Sequence, residues 1–379
     1  MELVQKKKRI RPLCKLLGIQ EPIIQAPMAG NIIPAEFAAY VSNSGLLGSL
    51  ASGYLNYESC KKLIQETQKY TQNPFQLNLF VEQTSRQANL SIVHKPDALV
   101  ALEKSIGMNE SALCEAMPES NFDAILSLAL ERRVPIISTT FGVLSEQQLA
   151  MVKETQTILM VTINSLADAH MAMLLNQPDV LIYQNKLAGG HQGGFNTQEC
   201  ESYDVCDTAI LALKKEYPDI LIVKSGAIVT RDDIKLALKQ GFDGVQIGTG
   251  FLATKESTAS PEHKTSIVRT TKVCDTCFSK SVTGKQARGI KNQLMQLPLQ
   301  ETPHYPQQHY ATKAIRAFAK VHGLKEYQSL WAGTGSVKIE KIPSLEEYIY
   351  SILKYPQNLS NLTQRMHYVR GESALELHG

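Results

Sequence analysis

Val180-Leu-Ile-Tyr-Gln184 runs through Asn185-Lys-Leu into Ala188-Gly-Gly-His191-Gln-Gly-Gly-Phe195. A short apolar run that stops at a glycine cluster reads as a buried strand followed by a loop. Four glycines in the six positions 189–194 surround His191. Glycine lets backbone approach a ligand closely and take positive φ. A histidine at such a place presents an imidazole whose ordinary pKa lies near neutrality. Alone, the stretch is equally a flexible turn with an incidental histidine, so its reading depends on what the rest of the chain repeats.

The same unit recurs along the chain. Short apolar, often β-branched runs lie at residues 22–26, 46–51, 75–80, 134–141, 158–163, 180–184, 220–226 and 244–249. Helix-like segments separate them. Pro34 leads into a helix over 35–44, in the first turn where proline is tolerated. Further helices are expected over 57–70, 97–104, 121–133 (with Asn121 as cap), 204–216 and 230–240. Capping pairs sit at Ser145 with Gln148, Ser165 with Asp168, and Thr230 with Asp233. Residues 82–119 carry mixed polarity and give no clear element outside 97–104. Eight strands alternating with helices over about 250 residues is the pattern of an α/β (β/α)8 TIM barrel. The competing open doubly wound sheet would carry a GxGxxG turn after its first strand. Pro27-Met-Ala-Gly-Asn31 has none.

Beyond Phe251 the rhythm changes. Residues 254–307 are polar, helices are expected over 310–322 and from the Ser344/Glu347 capping pair to about Tyr355, and Pro356 stops the last one. The division expected is 1–253 as the barrel, 254–335 as a smaller, mainly helical part over its mouth, and 336–379 as a segment returning to the barrel.

Composition narrows the function classes. A net charge of +3 over 379 residues gives no reason to expect nucleic acid or an acidic membrane surface. The basic residues 6–11 are followed by no apolar run of secretory-signal length, and no 18-residue apolar run occurs, so no membrane span is expected. Seven scattered cysteines do not form a disulfide framework, which points to the cytoplasm. Cys274-Asp-Thr-Cys277 lacks a second ligand pair, so no metal site is expected.

In a barrel of this kind the site lies at the C-terminal ends of the strands, with a phosphate site after strands seven and eight. Those turns are Ser225-Gly-Ala-Ile228 and Gly248-Thr-Gly-Phe251. Their glycines expose N–H groups to an anion, so a phosphorylated cofactor or substrate is expected there. Asn78, Thr139, Thr140, Thr162, Gln184 and Gln246 lie in or at the ends of strands. Their plain reading is barrel filling with local hydrogen bonds. Asn and Gln, with both donor and acceptor, also suit the edge of an isoalloxazine ring.

Gln25-Ala-Pro-Met-Ala-Gly30, Gly48-Ser-Leu-Ala-Ser-Gly-Tyr54, Asn78-Leu-Phe80, Ala188-Gly-Gly-His191 and Gln246-Ile-Gly-Thr249 together resemble the nitronate monooxygenases, formerly called 2-nitropropane dioxygenases. Ala287-Arg-Gly-Ile-Lys-Asn292 and Leu330-Trp-Ala-Gly333 extend the resemblance to about residue 350. It implies a TIM barrel holding FMN non-covalently and consuming O2 and a nitronate such as propionate 3-nitronate. Asn78, Gln184, Gly189, Gly226, Gln246, Ile247, Gly248 and Thr249 would touch FMN, Met28 would pack by the flavin ring, and His191 would be catalytic. That role is general base toward a neutral nitroalkane, or an orienting and stabilising group toward a nitronate. The chain departs from the pattern at Asn185 and Leu187, where glycine and glutamate are usual, at Asn31, and at the Ser225-Gly-Ala227 turn.

The alternative is an FMN-dependent NAD(P)H reductase of the same fold, of quinone or enoyl-acyl-carrier-protein type. Two further rivals are a flavin-binding protein without turnover and a zinc-binding module built on Cys274 and Cys277. The partners expected are small molecules only; a homodimer is left open.

Overall fold

The computed structural model describes residues 10–81, 95–109, 121–195, 206–298 and 302–353. The basic residues 6–9, most of the stretch 82–119, Cys114, Cys200, the start of the helix expected at 204, and Pro356 lie outside the described residues.

Eight parallel strands form the barrel wall: β1 (Ile23–Gln25), β2 (Gly48–Ala51), β3 (Phe75–Phe80), β4 (Ile136–Thr140), β5 (Ile158–Ile163), β6 (Val180–Gln184), β8 (Leu221–Ser225) and β9 (Gly244–Ile247). Their order is β1-β9-β8-β6-β5-β4-β3-β2. A parallel bridge between Ile24 and Leu47 joins the two ends, with Gln25 N–H donating to the Leu47 carbonyl at 2.9 Å. The expected (β/α)8 TIM barrel is the fold observed.

Strand geometry sorts the side chains by alternation. Ile23, Leu77, Ile137, Val161, Leu181, Tyr183, Ile222 and Val245 pack with the surrounding helices in one large core. Ile24, Ile136, Met160, Val180, Ile182 and Val223 join a second cluster within the barrel. The helix Pro12–Leu17 contributes Leu13, Cys14 and Leu17 to that cluster. It therefore plugs the N-terminal end of the barrel. Gly244 makes room for it, since a Cβ there would lie 2.3 Å from Leu13 Cδ2. Farther along, the alternating positions turn polar: Gln76 and Asn78, Ser138 and Thr140, Thr162, Gln184, Ser225 and Gln246. The barrel interior thus grades from a dry plugged floor to a polar mouth.

The capping pairs at Ser145, Ser165, Thr230 and Ser344 all form as reciprocal capping boxes. Asn121 sits at its helix start without capping it; its amide donates to the Leu55 carbonyl at 3.0 Å instead. Pro34 stands one position before the helix Ala35–Asn43.

The part beyond the barrel holds helices, Pro261–Val268, Gln307–Ala311 and Lys313–Val321, but also a three-stranded antiparallel sheet that periodicity did not announce. It pairs β10 (Thr276–Ser279) with β11 (Ala287–Ile290), and β11 with β7 (Gly190–His191). The glycine-rich loop is therefore its edge strand. The last described helix, Leu345–Ile352, returns to the barrel wall. The Tyr348 hydroxyl donates to the Val229 carbonyl at 2.8 Å, over Gly250, where a Cβ would lie 1.9 Å from that hydroxyl.

Replacing Tyr348 with Phe leaves the buried Val229 carbonyl without that partner. The expected cost is about 1–3 kcal/mol, read as a fall of about 1–4 °C in Tm. An unchanged melting curve would show that this bond does not hold the helix.

Candidate active site

The register brings the expected residues to one level of the barrel. Gln184 pairs with Ser225, Ser225 with Gln246, and Gln246 with Ile24. Asn78 pairs with Ser138 on the far side. Gly226 follows Ser225, Gly248 and Thr249 follow Ile247, and Met28 follows β1 and packs on the core. All lie at the C-terminal ends of their strands, where barrels of this class carry their chemistry.

Their hydrogen bonds divide them. Asn78 Nδ2 donates to Ser138 Oγ at 2.9 Å and Thr140 Oγ1 at 3.0 Å. Gln184 is spent on the glycine-rich loop: its Nε2 donates to the His191 carbonyl at 2.8 Å, and its Oε1 accepts from Gly193 N–H at 2.7 Å. Gln246 Oε1 is buried with no hydrogen-bond partner among the described residues, and so is Gln192 Nε2 beside His191. A buried orphan acceptor on a barrel strand fits a ligand that brings its own N–H. A Cβ at Gly190 would meet nothing within 4 Å, and at Gly248 only Ala26 at 3.6 Å, so neither backbone is crowded by the protein on that side.

The loop is held from three sides. Asn164 and Asp168 accept from Gly194 and Phe195 N–H, tying its end to the region after β5. Phe141 N–H donates to the Gly193 carbonyl at 2.7 Å. Gly189 lies against residues 332–333, where a Cβ would come within 2.5 Å of Gly333 N. Asn185 and Leu187 serve this seating. Asn185 Oδ1 accepts from Leu187 N–H at 3.0 Å, and the Leu187 carbonyl accepts from Thr334 N–H at 3.0 Å. Gly226, at φ 117, is required beneath Asn185, whose Oδ1 would lie 2.0 Å from any Cβ.

His191 stands half-buried in an aromatic enclosure. Its ring centroid lies 5.9 Å from Phe141, 5.9 Å from Tyr305 and 5.6 Å from Trp331. Its Nε2 meets Thr283 Oγ1 at 2.8 Å. Burial, then the charges of Lys285 and Arg316, pull its pKa down to about 3, so the ring is neutral at pH 7. Lys285 Nζ sits 4.6 Å from the Phe141 ring centroid.

A second imidazole, His309, stacks on Tyr54 at 4.0 Å between centroids. Burial first, then Arg316 and His191, lower its pKa to about 2. Arg316 donates from Nη2 to the His309 carbonyl at 2.8 Å and from Nε to Thr312 Oγ1 at 3.0 Å. It meets no carboxylate among the described residues. Tyr54 and Phe141 hold left-handed backbone, φ 70 and 74. Such strain in non-glycine residues is maintained by surrounding structure and clusters at working sites.

Sequence reasoning placed His191, and Tyr305 lies beside it. Tyr310 packs edge-on to His309, and Lys313 is exposed. Reading along the chain missed Thr283, Lys285, His309 and Arg316. The Thr312–Arg316 spacing of one helical turn was a signal for the last, but nothing in the sequence pointed it at His191. Among the described residues no three His, Cys, Asp or Glu side chains gather to hold a metal, and Cys274 and Cys277 are free thiols. No described helix is long and apolar enough to cross a membrane.

A family model described as nitronate monooxygenase matches residues 11–354. The chain is 34% identical over 329 residues to a probable nitronate monooxygenase of Bacillus subtilis (strain 168), covering 85% of this chain and 92% of that protein. It is 31% identical over 353 residues to a probable nitronate monooxygenase of Staphylococcus saprophyticus, covering 91% and 97%. Among solved structures it matches nitroalkane oxidase from Streptomyces ansochromogenes, with TM-score 0.76 and 28% identity over 90% of this chain and 97% of that one. FabK from Thermotoga maritima shares the fold, with TM-score 0.68 and 22% identity over 95% and 98%. The conjunction of barrel, glycine-rich loop and His191 enclosure with these matches makes the chain an oxidoreductase that belongs to the nitronate monooxygenase family.

Proposed function

We propose that the protein oxidises alkyl nitronates, propionate 3-nitronate among them, with molecular oxygen and bound FMN. The observation that carries this is the aromatic enclosure of His191 together with Arg316, which meets no carboxylate among the described residues; burial, then Lys285 and Arg316, lower the imidazole's pKa there. A base with a pKa near 3 is poorly matched to removing a carbon-bound proton at neutral pH. A nitronate has already lost that proton and carries the negative charge that Lys285 and Arg316 favour. A unit charge about 5 Å from an anion, at an effective dielectric near 20, stabilises it by about 3 kcal/mol.

Met28, Asn78, Gln184, Gly189, Gly226 and the segment Gln246, Ile247, Gly248, Thr249 would hold the flavin. Gln246 Oε1 would accept a ring N–H, and the turns after β8 and β9 would take the phosphate. When bound, FMN supplies the electron acceptor for the nitronate and the route to O2. His191 orients the anion, Lys285 and Arg316 offset its charge, and Phe141, Tyr305 and Trp331 keep water from the reacting carbon. On this reading 1–253 holds the flavin, 254–335 covers the substrate, and the segment from 336, described as far as 353, returns to the barrel, in a cytoplasmic enzyme.

The deciding experiment is the anaerobic visible spectrum of the FMN-reconstituted chain before and after propionate 3-nitronate. Bleached flavin bands support the reading. Bands that bleach only with NAD(P)H would replace it with the reductase, and absence of flavin binding would remove the site. His191→Asn is expected to lower kcat/KM at least tenfold while keeping FMN, and unchanged turnover would take His191 out of the mechanism.

The pH profile follows with a definite sign. A group with a pKa of about 3 is deprotonated throughout pH 5–8, so His191 should add no inflection there. Activity should fall from its protonation only as the pH drops toward 3–4. A histidine inflection near pH 6.5 that His191→Asn abolishes would contradict this.

A further inference from the structure

Thr283 is 1% exposed, and its hydroxyl has one proton and two acceptors within reach. These are Nε2 of His191 at 2.8 Å and the Lys285 carbonyl at 3.3 Å. The first distance lies in the normal range for a hydroxyl donor; the second lies beyond it. A neutral imidazole has one donor and one acceptor nitrogen. If Nε2 accepts from Thr283, the ring proton must be on Nδ1. His191 Nδ1 has no hydrogen-bond partner among the described residues, and the ring is half-buried rather than sealed.

We infer that Thr283 fixes His191 as the neutral Nδ1–H tautomer, so that the imidazole offers a substrate oxygen a hydrogen-bond donor rather than a basic lone pair. This deepens the nitronate reading and rests on it for the identity of the anion. The alternative tautomer would aim a lone pair at an anion, which is repulsive. It would also give the better base for a neutral nitroalkane. The groups facing His191 agree with the donor role. Burial, then Lys285 on the β10–β11 turn and Arg316 on the helix Lys313–Val321, disfavour a second ring proton. The Thr283 hydroxyl acts in the same direction, because a donor to Nε2 stabilises its unprotonated form. Thr283 is thus a positioning residue: it acts through the imidazole.

The test reads the tautomer directly. In the FMN-reconstituted full-length chain labelled with 15N-histidine, the His191 signals are assigned by their loss in His191→Gln. At pH 7 the expected spectrum has Nδ1 protonated and Nε2 bare; a protonated Nε2 overturns the inference. Kinetics supply the second arm. Thr283→Val should raise KM for propionate 3-nitronate about tenfold, the size of one hydrogen bond to a charged group, with kcat changed less than about threefold. Thr283→Ser should restore both KM and the Nδ1–H signal. Equal KM for Thr283→Val and the parent, with FMN bound in both, also overturns the inference. If Thr283→Val does not fold, the parent spectrum and the serine variant still decide it. Should the chain turn over no nitronate, the functional reading fails, while the tautomer measurement stands independently.

Discussion

The amide of Gln184 is the contact on which the site depends. Its donor holds the His191 carbonyl and its acceptor holds Gly193 N–H. A loop of four glycines has much conformational entropy to lose on ordering. That clamp acts with the bonds from Phe141, Asn164 and Asp168 in seating β7 along β11, while Gln308 and Thr312 hold the Ser281 and Val282 carbonyls and so help to place Thr283. Gln184 is itself fixed, since it ends a strand whose register is locked to β5 and β8. Barrel order thus passes through Gln184, with Asn164 and Asp168 beside it, into the glycine-rich loop and onto His191.

The electrostatics follow from that seating. Arg316 donates only to hydroxyls, a carbonyl and an imidazole nitrogen, so its charge is not cancelled by any described carboxylate. Its pKa is lowered to about 10, chiefly by burial. A desolvated cation without a counter-ion is costly, and an arriving anion recovers part of that cost. Burial first, and then the same positive field, keeps both imidazoles neutral. A site that suppresses histidine protonation and attracts negative charge suits a substrate that arrives deprotonated.

Legibility in the sequence followed periodicity. The eight strands could be read because each is a short apolar run set between helix signals, and Asn78, Gln184 and Gln246 showed as polar breaks in those runs. The plug helix Pro12–Leu17 escaped notice because six residues make too little of a helical period. The antiparallel sheet escaped because β7 has two residues and its partners come from a polar stretch nearly a hundred positions away. Thr283 and Lys285 were hidden for the same reason: their function is created by a pairing, and pairing between distant short strands leaves no local pattern. Gln184 was visible as a site residue, but its task of holding the loop was not, because that task depends on where the loop returns.

The departures from the family pattern acquire physical meaning in this arrangement. Asn31 and Ala227 both hold left-handed backbone, φ 57 and 58. Asparagine tolerates that region better than most residues, whereas alanine occupies it under strain. Asn185 replaces a glycine without opening the turn, because its side chain folds back onto Leu187 N–H and over Gly226. Leu187 stands where the family resemblance leads one to expect an acid, and its hydrogen bonds are made by its backbone alone. The loop's seating is preserved by the backbone bond from Thr334 N–H to the Leu187 carbonyl, which any residue at 187 can accept. Asn185 and Leu187 therefore hold the loop in place through a side-chain amide and a backbone carbonyl, without bringing a carboxylate to it.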